Sequence, residues 1–298
     1  MKTNTLFMAF ASGKVSTEAG EIKRYVGVAP VKILAVNPSK AEQEKLYNTT
    51  LDKEPEYVGT INVNGADVQN ARISFVIQTD AEKCDGIDVT TTATFFIQNG
   101  PKIGSQSGKH QIIDKYGRTA WATREEIAAR RIPIYSNGKP ANIDADYREA
   151  YVGEAELTDF IKTYLNIPSV QRYVNNEWVM VEHPEECEAR LDDIADFFKG
   201  NFSSLKEIIA YQPNNKVKVL FGVRTTDDGK EYQAVYTNMV LRNGVSDYSR
   251  LDKDVQERKA AGAFSNTTFE VCPIKEYTVA PTPVDDLPVA AAPGGWFK

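Results

Sequence analysis

Histidine is nearly absent from this chain: His110 and His183 are the only two in 298 residues. That excludes a metal centre built from several imidazoles and leaves few partners for a Ser/His/Asp triad. Cysteine is scarce too. The three thiols, Cys84, Cys187 and Cys272, are odd in number, far apart and without a CxxC pair, so neither a disulfide framework nor a zinc site is expected. Reduced, buried thiols are the expectation instead. No apolar run approaches the ~20 residues of a membrane-spanning helix. The apolar patch from Leu6 to Phe10 is shorter than a secretory core, and Lys14 follows it closely, so residues 1–22 are expected to form an N-terminal arm and not a signal. The Asn-x-Ser/Thr matches at Asn48, Asn201 and Asn266 carry no weight without secretion.

What the chain does have is the profile of a soluble folded protein: 42% hydrophobic residues, 26% charged residues and a mean hydropathy of -0.40. The length allows one large domain or two modest ones. The net charge of -6 is unevenly distributed. Ile143 to Asp196 holds fourteen acidic and four basic residues, a local charge of -10, which leaves +4 on the rest. A chain with an acidic flank can still present a basic groove to a polyanion.

Strand signals dominate the first third. Lys23 to Val36 reads as an extended segment interrupted by Pro30, which implies an edge or a bend. Ser39 and Glu42 have the spacing of a capping box that starts a short helix through about Tyr47. Tyr57–Val63, Ala71–Thr79 and Val89–Ile97 are rich in Val, Ile, Thr and Phe, and Asn64-Gly65 and Asp85-Gly86 supply hairpin-type breaks, so an antiparallel meander is expected. The middle is helical in pattern: Thr123–Arg131, Glu154–Leu165 with Leu157, Phe160, Ile161, Tyr164 and Leu165 on one face, Glu185–Lys199, and Ser203–Tyr211. Strands return at Lys216–Arg224 and Glu231–Leu241, joined through Asp227-Asp228-Gly229, and Phe269–Tyr277 is a last candidate. From about Val279 the chain is Pro- and Ala-rich and cannot pack a core. The expected fold is α+β: an OB-like β-barrel over residues 23–278, a helical insertion at about 123–211, and a disordered C-terminal tail over 279–298.

Catalytic chemistry has little support. GPKIGSQSGKH, from Gly100 to His110, fails as a phosphate loop because Ile103 stands where Gly is needed and His110 replaces the magnesium-binding Ser or Thr. The acidic run from Glu182 to Asp196 reads as a solvated helix face. The purposeful stretch is Phe95 to Tyr135, which interleaves Lys102, Lys109, Lys115, Arg118, Arg124, Arg130 and Arg131 with Tyr116, Trp121 and Tyr135. Cations follow phosphates while flat rings stack on unpaired bases, so this combination points to single-stranded nucleic acid. The competing reading makes Trp121 and Tyr135 core residues and the cations plain surface. Tyr232, Tyr236, Arg224 and Arg242 on the later hairpin are further candidates for the same groove.

Three blocks carry a family resemblance: YVGVAPVKILAVNPSKAEQEKLY (Tyr25 to Tyr47), HQIIDKYGRTAWA (His110 to Ala122) and REAYVGEAELTDFIKTYLN (Arg148 to Asn166). With the hairpin from Lys216 to Arg242 they cover most of residues 24–245, and they resemble single-stranded-DNA-binding proteins of large tailed phages, including crAss-like phages. The resemblance implies an OB-type barrel that binds and protects single-stranded DNA during phage replication or recombination, with no catalytic residues and no cofactor, in the cytoplasm of the bacterial host. It also implies a tail that docks replication proteins through Asp285, Asp286, Trp296 and Phe297, although only two acids are present and Lys298 is last. The rival expectation is a virion structural or packaged cargo protein. A nuclease is a third, and it lacks the clustered acidic and lysine site it would need.

Overall fold

The computed structural model describes residues 23–278. The expected N-terminal arm, and the tail with Asp285, Asp286, Trp296 and Phe297, lie outside the described residues. In chain order the elements are β1 (Tyr25–Val36), α1 (Lys40–Tyr47), β2 (Val58–Val63), β3 (Ala66–Thr79), β4 (Thr90–Pro101), β5 (His110–Asp114), β6 (Thr119–Ala122), α2 (Arg124–Ala128), β7 (Tyr147–Glu149), β8 (Tyr151–Val152), α3 (Glu154–Tyr164), β9 (Gln171–Val174), β10 (Glu177–Met180), α4 (Ile194–Phe197), α5 (Ser203–Tyr211), β11 (Lys216–Thr225), β12 (Glu231–Arg242), α6 (Ser249–Ala260), β13 (Thr267–Phe269) and β14 (Lys275–Glu276).

The main sheet runs β12-β11-β1-β3-β4-β8, with β2 added to β3, β13 to β11 and β14 to β1. Its strand pairs are antiparallel and it curls strongly into a half-barrel, so the architecture is α+β. Period-two alternation selects the inner face. Val31 and Ile33 of β1, Ile73, Phe75 and Ile77 of β3, Phe95 and Ile97 of β4, and Val219 and Phe221 of β11 all point into one core. Helix α3 fills the concavity with Leu157, Phe160, Ile161 and Tyr164, the i, i+3, i+4, i+7 face of an amphipathic helix. Phe160 lies 4.6 Å from Phe75 and 5.0 Å from Phe95, ring centre to ring centre. Each such ring contributes roughly 1.5–3 kcal/mol by leaving water. Outside the curl, α6 covers Leu220 and Tyr236 with Leu251 and Val255.

Local chemistry sets the punctuation. Ser39 and Glu42 cap α1 reciprocally, and Thr123 and Glu126 do the same for α2. Asn64 (φ 52°) and Gly65 (φ 88°) make the β2–β3 turn, where both central residues need positive φ.

The expected helical insertion is corrected. Residues 123–211 contain four strands as well as four helices, and β8 joins the main sheet at β4. β5, β6 and β7 form a separate three-stranded sheet over a small core of Ile112, Ala120, Ala122, Ala141, Ile143 and Tyr147. The helix expected over Glu185–Lys199 is broken into a 3-10 turn at Pro184–Cys187 and the single turn α4. Between them the backbone N–H groups of Ala189 and Arg190 donate to the Lys115 carbonyl, a tertiary contact that replaces helical bonds. The strand expected over Phe269–Tyr277 is likewise split, with Pro273 making only an isolated bridge to Val28. Helix α6 and the β9–β10 hairpin have no counterpart among the sequence expectations.

Gly153 shows how tightly the half-barrel is closed. It precedes α3 at φ 85°, and a Cβ there would lie 2.0 Å from the Phe96 carbonyl oxygen. Gly153→Ala is therefore expected to destabilise the fold by roughly 2–4 kcal/mol. Gly229, at φ 77° in open space, gives the backbone term alone, and Gly229→Ala should cost about 1 kcal/mol. Urea unfolding midpoints of the two variants measure the difference.

Candidate nucleic-acid interface

The hairpin β5–β6 is built around one carboxylate. Asp114 Oδ1 accepts from the backbone N–H groups of Tyr116 and Arg118 at 3.0 and 2.9 Å; Oδ2 accepts from Arg118 Nε and the Asp144 N–H, each at 2.8 Å. Asp114 has no exposed surface. The DKYGR turn of the second block is thus a folding device, and Gly117 brings it against Thr158 of α3. The third block has an equivalent device. Arg148 donates to both oxygens of the buried Glu154 at 2.9 and 2.7 Å and to the Leu191 carbonyl at 2.7 Å.

These arrangements engage most of the expected phosphate contacts. Lys102 pairs with Glu156 at 2.9 Å, and Lys115 with Glu188 at 3.4 Å. Contact with the Tyr116 side chain, followed by the Glu188 carboxylate, raises the Lys115 pKa, so this ammonium stays charged. Arg118 is held by Asp114 and by Asn142 Oδ1. Arg124 donates from Nε to His110 Nε2 at 3.2 Å, while His110 Nδ1 stands 2.5 Å from Glu149 off the line of a hydrogen bond. Arg130 donates to the Tyr147 carbonyl. Among the described residues Lys109 and Arg131 have no side-chain partner, and Arg131 is exposed.

The expected stacking residues divide. Trp121 is 37% exposed beside Gly104 and Tyr135 is 45% exposed, so both rings reach solvent. Tyr116 does not: it is 4% exposed and packs on Val170 and Cys187, so stacking on a base is closed to its ring. Lys115 and Arg118 approach that ring to 5.1 and 5.2 Å, within cation–π range. On the later hairpin, Tyr236 is corrected as well. It is buried under α6 against Phe264 and Phe269, with its hydroxyl bonded to Asp254, and Arg242 donates to the Ile167 carbonyl.

The structure adds a ring pair that sequence reasoning missed. The β9–β10 hairpin stands in solvent, with Tyr173 59% and Trp178 66% exposed and their centroids 5.2 Å apart. Cross-strand partners share a face, so Trp178↔Tyr173 and Met180↔Gln171 look one way while Val179↔Arg172 and Glu177↔Val174 look the other. The signal was present in Asn175-Asn176 between two runs containing Tyr, Val and Trp. Both asparagines take positive φ, 49° and 67°, as a two-residue turn demands.

Trp178 forms one wall of a cleft of about 190 Å³. Tyr116, Pro168 and Val170 supply apolar lining, and Arg118, Lys162, Asn142, Ser169 and Gln171 supply polar lining, with no carboxylate among them. This is smaller than the roughly 300–1,000 Å³ of a drug-sized ligand site, so it suits a single flat ring. A larger cavity of about 360 Å³ lies beside β1 and β11, but its Lys218 is turned onto the Val245 carbonyl and the Tyr248 hydroxyl. Among the described residues no group of three or more His, Cys, Asp or Glu is placed to hold a metal ion. Burial pushes the thiols of Cys84, Cys187 and Cys272 above their usual range, which keeps them protonated and poorly nucleophilic. No helix of the described residues is long and apolar enough to cross a membrane.

Asp114→Ala orphans four donors and leaves Arg118 without its counter-charge, so a loss of roughly 3–5 kcal/mol is expected in urea unfolding. Lys115→Ala removes a partly exposed pair and should leave the urea midpoint close to that of the parent chain. Comparison with known proteins returns no matching family model, no matching curated protein and no matching solved structure.

Proposed function

We propose that the chain binds single-stranded nucleic acid without transforming it, as a phage protein that protects exposed single-stranded DNA. One observation carries the reading: Trp178 stands in solvent, paired with Tyr173, at the wall of a carboxylate-free cleft that also holds Lys162 and Arg118. Base stacking is worth ~1–3 kcal/mol per ring and tolerates any sequence, while cations supply the salt-dependent part. The partly exposed Trp121 and the unengaged Lys109 and Arg131 extend the same chemistry onto the β4–β5–β6 region. The curled antiparallel sheet is in keeping with an OB-type barrel, and the resemblance to phage single-strand binders points the same way.

A second reading, a virion structural or cargo protein, draws on a different property of the same hairpin. Val174, Val179 and Met180 are exposed there as well, and a two-stranded ribbon offers unpaired edges to another chain.

Titration of the full chain with oligo-dT at about 50 mM salt separates them. The expected outcome is quenched tryptophan emission, with log affinity falling against log salt at a slope of about -2 for ~3 phosphates engaged. Lys109→Ala combined with Arg131→Ala should flatten that slope by about 1.4 and leave stability unchanged. Absence of any complex at micromolar protein, with concentration-dependent self-association in its place, rejects the binding reading and favours the structural one.

A further inference from the structure

Arg118 sets the hydrogen-bond polarity of the Trp178 cleft. Its NH1 donates to Asn142 Oδ1 at 2.9 Å, which fixes the Asn142 amide so that Nδ2 donates to Gln171 Oε1 at 2.8 Å. With one lone pair of Oε1 engaged, Gln171 offers a ligand both N–H groups of Nε2 against a single remaining lone pair. Lys162 uses one N–H on the Tyr116 carbonyl at 3.0 Å and keeps two. The Ser169 and Tyr116 hydroxyls serve in either role; otherwise the N–H groups of Arg118, Lys162, Asn142 and Gln171 outnumber the lone pairs left on the two amide oxygens, and no Asp or Glu lines the cleft.

A ligand that fits must then be flat on one side, to lie on Trp178, and rich in acceptors along its edge. The volume of about 190 Å³ allows one ring and leaves the sugar and phosphate outside. Thymine and uracil meet both demands with two carbonyl oxygens. Adenine also has acceptors at N1, N3 and N7, but its N6 amino donor flanks N1 and N7 and would face a donor where thymine and uracil present O4, leaving both donors unsatisfied. Glu177, the only acid on the hairpin, belongs to the opposite face from Trp178 and does not compete.

We infer that this cleft is a seat for one unpaired 2,4-dioxopyrimidine base, thymine or uracil, with Trp178 as the stacking wall and Gln171 and Lys162 as donors to its carbonyl edge. The inference rests on the single-strand reading above and names the site and base class within it. It also predicts a preference that stacking alone does not generate.

The test uses the full chain carrying Trp121→Phe and Trp296→Phe, so that of its three tryptophans only Trp178 reports. Oligo-dT, oligo-dA and an abasic deoxyribose-phosphate oligomer of equal length are titrated at one salt concentration. Oligo-dT is expected to quench Trp178 and to bind about tenfold tighter than either of the others. In the chain that retains Trp121, Trp178→Ala should lower oligo-dT affinity roughly ten- to a hundredfold with abasic binding unchanged, and Trp178→Phe should recover most of it. Gln171→Met should bring oligo-dT and oligo-dA to near equality. Equal affinity for all three oligomers, with Trp178→Ala without effect, overturns the base seat while leaving single-strand binding intact. Failure of the chain to bind any of the three overturns both.

Discussion

Two buried carboxylates, Asp114 and Glu154, hold the small sheet to the large one, and the candidate interface exists only because they do. The three-stranded sheet has a core of six buried residues, too few to be stable alone. Asp114 closes the β5–β6 turn that docks on α3. Glu154 begins α3, at the positive end of its dipole, and takes the fork of Arg148 from β7, which pairs with β5 in the small sheet. Carboxylates without solvent are tolerable only when each lone pair meets a donor, and here backbone N–H groups and one arginine per carboxylate meet that demand. Cleft geometry follows directly: Arg118, oriented by Asp114, orients Asn142, which orients Gln171.

The same pairs explain the uneven charge of the sequence. Stretch 95–135 is basic and segment 143–196 is acidic, an arrangement that from composition alone suggests a basic groove free to meet a polyanion. In the folded chain much of that asymmetry is met internally, since Lys102 finds Glu156, Lys115 finds Glu188 and His110 lies against Glu149. Surface pairs of this kind add little stability. Their larger effect is to reduce the field outside the surface, so the proposed single-strand binding would lean on stacking more than on phosphate contact at physiological salt.

How much of this was legible in the sequence depended on whether the deciding interaction was local. The Ser39–Glu42 capping box, the Asn64-Gly65 turn, the amphipathic face of α3 and the β11–β12 hairpin were readable because residues within a few positions of one another determine them. Tyr116 was misplaced for the opposite reason. It lies in a turn between two lysine- and arginine-rich positions, and what buries it is Val170 and Cys187, both distant in sequence. The helix pattern over Glu185–Lys199 failed because the Lys115 carbonyl, some seventy residues earlier, captures the backbone N–H groups of Ala189 and Arg190. The β9–β10 hairpin was local and still missed, since its apolar residues occupy both faces and so carry no clean alternation. Its exposure on both faces is the feature that departs from ordinary folding economy.

That departure needs a physical account, because rings left in water contribute nothing to the fold. Tyr173 and Trp178 cover each other partly, at 5.2 Å, but neither packs onto the core. A two-stranded ribbon is marginal by itself, so the backbone bond from Val181 to the Val170 carbonyl at its base and the Asn142–Gln171 bond at its side must hold it in place. Two large aromatic residues in solvent, anchored through a directed chain of hydrogen bonds that starts at a buried carboxylate, are the feature on which the proposed contact with a flat ligand rests. Preorganisation of that kind lowers the entropy lost on binding, so in the proposed reading the Asp114–Arg118–Asn142–Gln171 chain acts as one unit, with all but Asp114 lining the cleft.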